Sequence, residues 1–105
     1  MKIIGVTACP TGIAHTSIAQ ESLEQECKKR GFEYKIETQG GMGIENELTD
    51  EDIETADVVI LAVSVMIEGE ERFEGKPIIK TDVDRAIKDV VNLVDEAVKK
   101  GEEIK

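Results

Sequence analysis

The stretch that decides the fold of this chain is its first apolar run with the loop behind it, Ile3-Ile4-Gly5-Val6-Thr7-Ala8-Cys9-Pro10-Thr11-Gly12. Residues 3–8 are mostly branched and do not alternate with charged residues, which is typical of a strand that is buried on both faces. Cys9 and Pro10 end the run. The sequence therefore predicts a buried first strand with Cys9 as the first residue beyond it.

A helix is expected directly after this loop. Thr16 or Ser17 is suited to the N-cap, and Gln20 stands where the third helical residue of a capping box would reach back after Ser17. Gly31 is placed to close the helix after a basic last turn. One apolar stripe recurs at every fourth residue, formed by Ala19, Leu23 and Cys27.

Two further strands follow the first helix. Residues 32–38 alternate between apolar and polar side chains, which predicts one buried face and one wet face. A glycine-rich loop is expected at residues 39–43. Val58–Val63 is the most continuous apolar run in the chain and predicts a second central strand.

The remaining elements are a short helix, an edge strand and a long helix. Thr49 and the acids behind it predict a helix that runs to Ala56. Pro77–Ile79 begins with proline, as suits an edge strand. The last helix is expected as one element with one apolar stripe, formed by Val83, Ile87, Val90, Val91, Val94, Ala97 and Val98.

This alternation of strands and helices predicts an α/β fold with a four-stranded parallel sheet, order 2-1-3-4, and helices on both faces. The two most apolar runs become the central strands. Ligands bind such sheets in the crevice beyond the carboxyl ends of the central strands, where Cys9 is expected. With 105 residues, the chain is expected to form one domain over residues 1–105.

The charge balance limits the classes of partner. The formal net charge is −10, and residues 41–75 hold eleven acids and one base, Arg72. A chain of this kind lacks the clustered cations that bind nucleic acid or an anionic membrane surface. Two interpretations of the acidic segment stay open. It forms either a solvated face that aids solubility or a surface that steers a basic partner.

No apolar run reaches the roughly 20 residues that a transmembrane helix needs, and the start of the chain does not resemble a signal peptide. The two cysteines, Cys9 and Cys27, do not indicate a disulfide framework. We therefore expect a cytoplasmic chain without direct insertion in the membrane. One histidine and two distant cysteines do not make a metal site, and no cofactor is expected.

The loop after the first strand carries the chemistry. Backbone N–H groups at the start of a helix attract anions, and Gly12 allows a close approach of the backbone. A cysteine in such a field is favoured as the thiolate, so Cys9 is predicted to be a phosphate-accepting nucleophile. The plainer alternative is a small apolar residue at a strand end. The residues predicted to cradle the phosphate are Pro10, Thr11, Gly12, Ile13, Ala14, His15 and Thr16.

The sixth residue after the cysteine helps to distinguish a phosphate hydrolase from a phosphoryl carrier. Tyrosine phosphatase loops have arginine there, and this chain has His15. Without the bidentate grip of arginine, the charge of a hydrolytic transition state is less well stabilised, which favours a carrier over a hydrolase. His15 either donates to the phosphate or braces the loop. Cys27 is expected in the core, and Met42 and Met66 are expected to be packing residues and not ligands.

Three segments together resemble the fructose-specific IIB component of the bacterial phosphoenolpyruvate-dependent sugar phosphotransferase system. The similarity runs from about residue 2 to residue 98. The segments are Cys9 to Thr16, then Glu37-Thr38-Gln39-Gly40 with Gly43-Ile44-Glu45-Asn46 and Leu48-Thr49, and Arg72-Phe73-Glu74-Gly75-Lys76-Pro77.

The resemblance implies a phosphotransferase of the sugar-uptake kind. Cys9 would accept a phosphoryl group from a phosphohistidine of a IIA protein or domain and pass it to fructose, or a related sugar, at the membrane IIC permease. The chain departs from the family pattern at Ser17 and Gln20, and at residues 64–67 after the third strand. Two other functions stay open for a chain with this loop. One is a hydrolase or reductase of the small tyrosine phosphatase or arsenate reductase kind, and the other is a regulatory module without phosphoryl transfer.

Overall fold

The computed structural model describes residues 1–8, 13–40, 43–67 and 69–103, with the backbone alone for residues 13–16, 40 and 103. The strands are β1 (Lys2–Ala8), β2 (Glu33–Gly40), β3 (Gly43–Glu45), β4 (Val58–Val63) and β5 (Ile78–Thr81). The helices are α1 (Ile13–Lys29), α2 (Asp50–Thr55), α3 (Val83–Lys88) and α4 (Val90–Glu103), and a 3-10 turn spans Glu70–Phe73.

The sheet has five strands in the order β3-β2-β1-β4-β5. The inner order β2-β1-β4-β5 is parallel throughout and confirms the predicted arrangement of those four strands. The prediction of a four-stranded, all-parallel sheet is wrong, because β3 pairs antiparallel with β2 at the edge. The three residues of β3 are exposed, so they carry no apolar pattern from which a strand could be recognised.

Both faces of the sheet are covered, which explains the unbroken apolar runs of β1 and β4. On the first face, α1, α3 and α4 pack on the sheet, and Leu23, Ile60 and Leu93 are among the fully buried side chains. On the second face, α2 and the 3-10 turn contribute Ile53 and Phe73 to a second apolar cluster. Among the described residues, Phe73 is the one fully buried aromatic side chain, in keeping with an aromatic content of 3%.

The first helix begins earlier than predicted, at Ile13, so Thr16 and Ser17 lie inside the helix and not at its N-cap. Gln20 does not complete a capping box. Its side-chain amide donates to the carbonyl oxygen of Ile36 at 3.2 Å and so ties α1 to β2. The predicted end is confirmed, because Gly31 follows the helix with a φ of 76°.

The last helix is two helices and not one. The chain breaks at Asp89, whose φ of −135° and ψ of 36° lie outside the helical range. The break changes the phase of the apolar stripe, so Val91 is half exposed while Leu93 is fully buried. Aspartate gives no glycine or proline signal, and the apolar spacing continues across the break.

The short helix agrees with its prediction. The Thr49 hydroxyl accepts from the backbone N–H of Asp52 at 3.1 Å, and the Asp52 carboxylate accepts from the N–H of Thr49 at 3.0 Å. These two bonds form a reciprocal capping box. No helix in the described part of the chain is both long enough and apolar enough to cross a bilayer.

Candidate functional site

The carboxyl ends of the two central strands lie side by side. Ala8 ends β1 and stands in register with Val63 of β4 on one side and with Gln39 of β2 on the other. The backbone N–H of Ser64 donates to the carbonyl oxygen of Ala8 at 2.9 Å, which extends the pairing beyond β4. The chain runs from β1 and from β4 toward opposite edges of the sheet, so a crevice opens between them.

The predicted nucleophile Cys9 and the loop residues Pro10, Thr11 and Gly12 lie outside the described residues. They connect the end of β1 to the start of α1. The backbone of Ile13 to Thr16 forms the first turn of this 17-residue helix. The turn contains no acid, so the positive end of the helix dipole is not opposed by a carboxylate within it, and an anion beside it would be favoured.

Ser64 forms the β4 side of the crevice. Its hydroxyl oxygen accepts from the backbone N–H of Val83 at 3.4 Å, so the start of α3 lies beside it. A cavity of about 380 Å³ opens here, lined by Val63, Ser64, Val65, Met66 and Lys80. The lining of this cavity therefore includes the hydroxyl group of Ser64, whose backbone is bonded to the end of β1, and the ammonium group of Lys80.

Next to the end of β1, the structure also contains a buried carboxylate that the sequence pattern predicted to be exposed. Glu37 was expected on the wet face of its strand, and its side chain is fully buried. Arg72 donates to it twice, from Nη1 to Oε1 at 2.9 Å and from Nη2 to Oε2 at 2.6 Å. Gln39 donates from Nε2 to Oε2 at 2.8 Å, and the backbone N–H of Leu48 donates to Oε1 at 2.9 Å.

These four hydrogen bonds decide the charge state of Glu37. Burial alone would raise the pKa of its carboxyl group, but the bonds from Arg72, Gln39 and Leu48 together hold that pKa below its ordinary value. The carboxylate is therefore ionised at neutral pH. Because Gln39 stands opposite Ala8, the network orients a polar side chain next to the end of β1.

Arg72 is itself fixed from three sides. Besides Glu37, its Nε donates to the carbonyl oxygen of Gly69 at 2.8 Å, and its guanidinium lies 4.8 Å from the ring centre of Phe73. The guanidinium thus ties the 3-10 turn to β2 across the second face. The sequence pattern did not predict this pairing, although Arg72 stands out as the single base of residues 41–75.

The sulfur-containing residues divide into two kinds. Cys27 is fully buried, as predicted, and burial raises the pKa of its thiol to about 12, so it is no nucleophile near neutral pH. The prediction that Met66 is a packing residue is wrong, because its side chain is 98% exposed beside the crevice. Met42 lies outside the described residues.

Known proteins resemble this chain over most of its length. The family model described as the lactose/cellobiose-specific IIB subunit of the phosphotransferase system matches residues 4–96. A fructose-like EIIB component 2 of the phosphotransferase system from Escherichia coli K12 is 54% identical over 87 residues, which are 83% of this chain and 82% of the relative. The fructose-specific EIIB'BC component of the same organism is 42% identical over 92% of this chain, which corresponds to 17% of that larger protein.

Solved structures agree with these relatives. A domain of the fructose-specific IIABC component from Borrelia burgdorferi is 51% identical and superimposes with a TM-score of 0.87, covering 91% of each chain. A IIB subunit from Escherichia coli K12 is 42% identical, with a TM-score of 0.86 over 90% of this chain and 88% of the other. Together, these matches show that the chain belongs to the IIB family of the sugar phosphotransferase system, whose members are phosphotransferases of sugar uptake.

Proposed function

We propose that this chain is a phosphocysteine carrier, in which Cys9 takes a phosphoryl group from a phosphohistidine of a IIA protein and delivers it to a sugar at a membrane IIC permease. Membership in the IIB family supports phosphoryl transfer in general. The names of the relatives favour fructose or a related sugar. The reaction would take place at the cytoplasmic side of the membrane.

Each half of the reaction is a displacement at phosphorus. In the first, the Cys9 thiolate attacks the phosphorus atom, the sulfur–phosphorus bond forms, and the phosphorus–nitrogen bond to the histidine breaks. In the second, a sugar hydroxyl attacks the same phosphorus atom, the sulfur–phosphorus bond breaks, and the hydroxyl proton leaves to a base or to water. The cysteine returns as a thiolate.

The observation that carries the proposal is the position of the loop between two described elements. Cys9 to Gly12 connect the end of β1 to the first turn of α1, so the loop adjoins the positive end of a helix without acids in its first turn. This field favours a thiolate over a thiol and binds the oxygens of a phosphoryl group. We assign the cradle to Pro10, Thr11, Gly12, Ile13, Ala14, His15 and Thr16.

His15 stands where a phosphatase loop would have arginine, and this supports transfer over hydrolysis. Two roles for His15 stay open in the proposal, a hydrogen bond to the phosphoryl oxygens or bracing of the loop. His15→Ala and His15→Arg separate them. A phosphate contact predicts slower transfer for alanine and faster hydrolysis of phosphocysteine for arginine, whereas a bracing role predicts loss of thermal stability in both.

The decisive experiment is the intact mass of the protein after incubation with phosphoenolpyruvate, the general phosphotransferase proteins and a fructose-type IIA protein. Wild type is expected to gain one phosphate, and Cys9→Ser none. Cys27→Ser is the matched control and should gain phosphate like wild type, since Cys27 is buried away from solvent. Failure of every IIA protein tested, together with turnover of a phosphate ester that Cys9→Ser abolishes, would instead assign the chain to the phosphatases.

A further inference from the structure

A second cavity adjoins the crevice and lies on the second face of the sheet. It has a volume of about 510 Å³ and lies against β4, β5 and the 3-10 turn. Its apolar lining consists of Leu61, Ile67, Ile78 and Met66. We call this cavity the acidic groove, because of the charges on its rim.

The rim carries three exposed carboxylates, those of Glu70, Glu71 and Glu74, against one ammonium group. That ammonium, of Lys80, is 2.9 Å from the Glu70 carboxylate. Arg72 lies within the same turn but does not neutralise the rim, because its guanidinium is bound to the buried carboxylate of Glu37. The groove therefore presents an apolar floor within a negative potential.

Apolar side chains at and beside the acidic groove are exposed, so a bound partner could cover them. The Met66 side chain is 98% exposed, and Val65 beside it is 39% exposed. Exposed methionine is adaptable and is common on surfaces that bind peptide segments of varied sequence. A partner that covered these side chains would remove apolar surface from water, which favours binding.

The acidic groove is continuous with the crevice. The smaller cavity at the carboxyl end of β4 shares Met66 and Lys80 with it. Ser64, which lines the smaller cavity, is hydrogen-bonded to Ala8, the residue before Cys9. An occupant of the groove would thus approach the chain segment that carries the nucleophile.

We propose that the acidic groove docks a basic, partly apolar cytoplasmic segment of the IIC permease. This inference rests on the proposed function, because it names the partner that receives the phosphoryl group. Cytoplasmic loops of membrane proteins are rich in Lys and Arg, which complements the carboxylate rim. The anionic lipid surface itself repels the rim, so the protein segment and not the bilayer is the occupant.

Binding is tested with methionine-methyl NMR on the full chain, which contains three methionines. The probe is membrane vesicles that contain the IIC part of a fructose permease, and vesicles of the same lipids without it are the blank. The Met66 signal, assigned with Met66→Leu, is expected to broaden with permease vesicles only. An unchanged Met66 signal overturns the docking proposal, and equal broadening by the blank would mean that the lipid surface is the occupant.

Turnover tests the charge on the rim. For the triple variant Glu70→Gln, Glu71→Gln and Glu74→Gln, we expect the apparent KM for this chain in sugar phosphorylation to rise at least about fivefold with kcat unchanged. The matched control changes three exposed acids away from the groove, Glu21, Glu33 and Glu102, and is expected to stay near wild type. Equal KM values for the two triple variants would overturn the proposal.

The transfer of phosphate from the IIA protein to Cys9 comes before docking to the permease, and measuring it alone separates this inference from the proposed function. Phosphorylation of Cys9 by a IIA protein should proceed equally in wild type and in the rim variant. A slower IIA step with an unchanged permease step would mean that the groove binds IIA instead. If no variant, wild type included, takes phosphate, the carrier function fails, whereas the Met66 signal still decides whether the groove binds the permease.

Discussion

Arg72 encloses the carboxylate of Glu37 with two parallel hydrogen bonds, although the two residues lie 35 positions apart in the chain. The carboxylate is fully buried, while the arginine side chain is 21% exposed. Removing either partner of such a pair destabilises the fold, because the remaining charge would be buried without compensation. The pair links β2, next to the candidate site, to the 3-10 turn that forms the rim of the acidic groove.

Arg72→Ala is therefore expected to lower the free energy of unfolding by about 3 kcal/mol, the lower end of the range for broken buried pairs, since the arginine is partly exposed. Urea unfolding followed by circular dichroism measures the change. Adding Glu37→Gln to Arg72→Ala should recover part of the loss, because the amide removes the uncompensated charge.

The matched control for this substitution is Arg85→Ala. Arg85 is 30% exposed, not far from the 21% of Arg72, and it pairs with Asp89 and Glu96, but both of those carboxylates lie near the surface. Exposed pairs contribute little, so the expected loss is about 1 kcal/mol or less. Equal losses for the two arginine variants would contradict the view that burial of Glu37 makes its pair important.

The lowered pKa of Glu37 predicts a pH dependence of stability. Its folded value lies below the ordinary value of 4.5, because its four hydrogen bonds outweigh the effect of burial. The unfolded state then binds more protons in this range, so the contribution of Glu37 is complete above pH 4.5 and is lost as the pH falls through the folded value. Glu37→Gln should therefore show a shallower decline in the free energy of unfolding between about pH 5 and pH 3.

Glu24 provides a control, because the pKa of its carboxyl group is shifted in the opposite direction from that of Glu37. Burial raises the pKa of its carboxyl group, and a hydrogen bond from Gln20 opposes this only in part. The folded state thus holds the Glu24 proton more tightly, so acidification adds stability from this group. Glu24→Gln should make the acid decline steeper than in wild type. A change of the same sign in both variants would refute the assignment of these pKa shifts.

The central strands could be predicted because burial on both faces leaves a pattern that no other element in this chain has. Val58–Val63 is apolar at every position, and the structure buries all six residues. The position of the candidate loop followed from the same pattern, since Cys9 directly follows the first such run. Local composition was sufficient here because burial on both faces of a central strand favours apolar side chains at nearly every position.

Glu37, Gly43–Glu45 and Asp89 show where local composition fails. Alternation placed Glu37 in solvent, and its burial becomes favourable through hydrogen bonds from Gln39, Leu48 and the distant Arg72. The edge strand at Gly43–Glu45 exists through its pairing with β2 and not through its own propensity. The break at Asp89 depends on how α3 and α4 pack against the sheet, which spacing alone does not encode.

At Gly5, in the central strand β1, the sheet leaves no room for a side chain. A Cβ atom at this position would lie 2.7 Å from the carbonyl oxygen of Ile60, which is fixed in the neighbouring strand. Gly5→Ala is therefore expected to lower the free energy of unfolding by about 3 kcal/mol, in the range of an overpacked core. Thermal and urea unfolding measure it.

Gly75→Ala is the comparison for that substitution. Gly75 has a φ of 86°, and no atom lies within 4 Å of the added Cβ. Only backbone strain remains, which amounts to about 1 kcal/mol. A loss at Gly5 no larger than that at Gly75 would contradict the steric limit, because it would mean that the strand carrying Ile60 moves aside to accept the added methyl group.

Cys27 predicts a clear difference in thiol reactivity between the two cysteines. Its side chain is fully buried in α1, and its pKa is raised to about 12 by burial, so both access and thiolate are lacking near neutral pH. Native Cys9→Ser should take up no iodoacetamide at pH 8, and it should take up one equivalent in urea that unfolds it. Native wild type should gain one adduct, on Cys9. Labelling of Cys27 in the native Cys9→Ser variant at a rate like that of wild type would mean that α1 opens readily, and thiol labelling could then not identify the nucleophile.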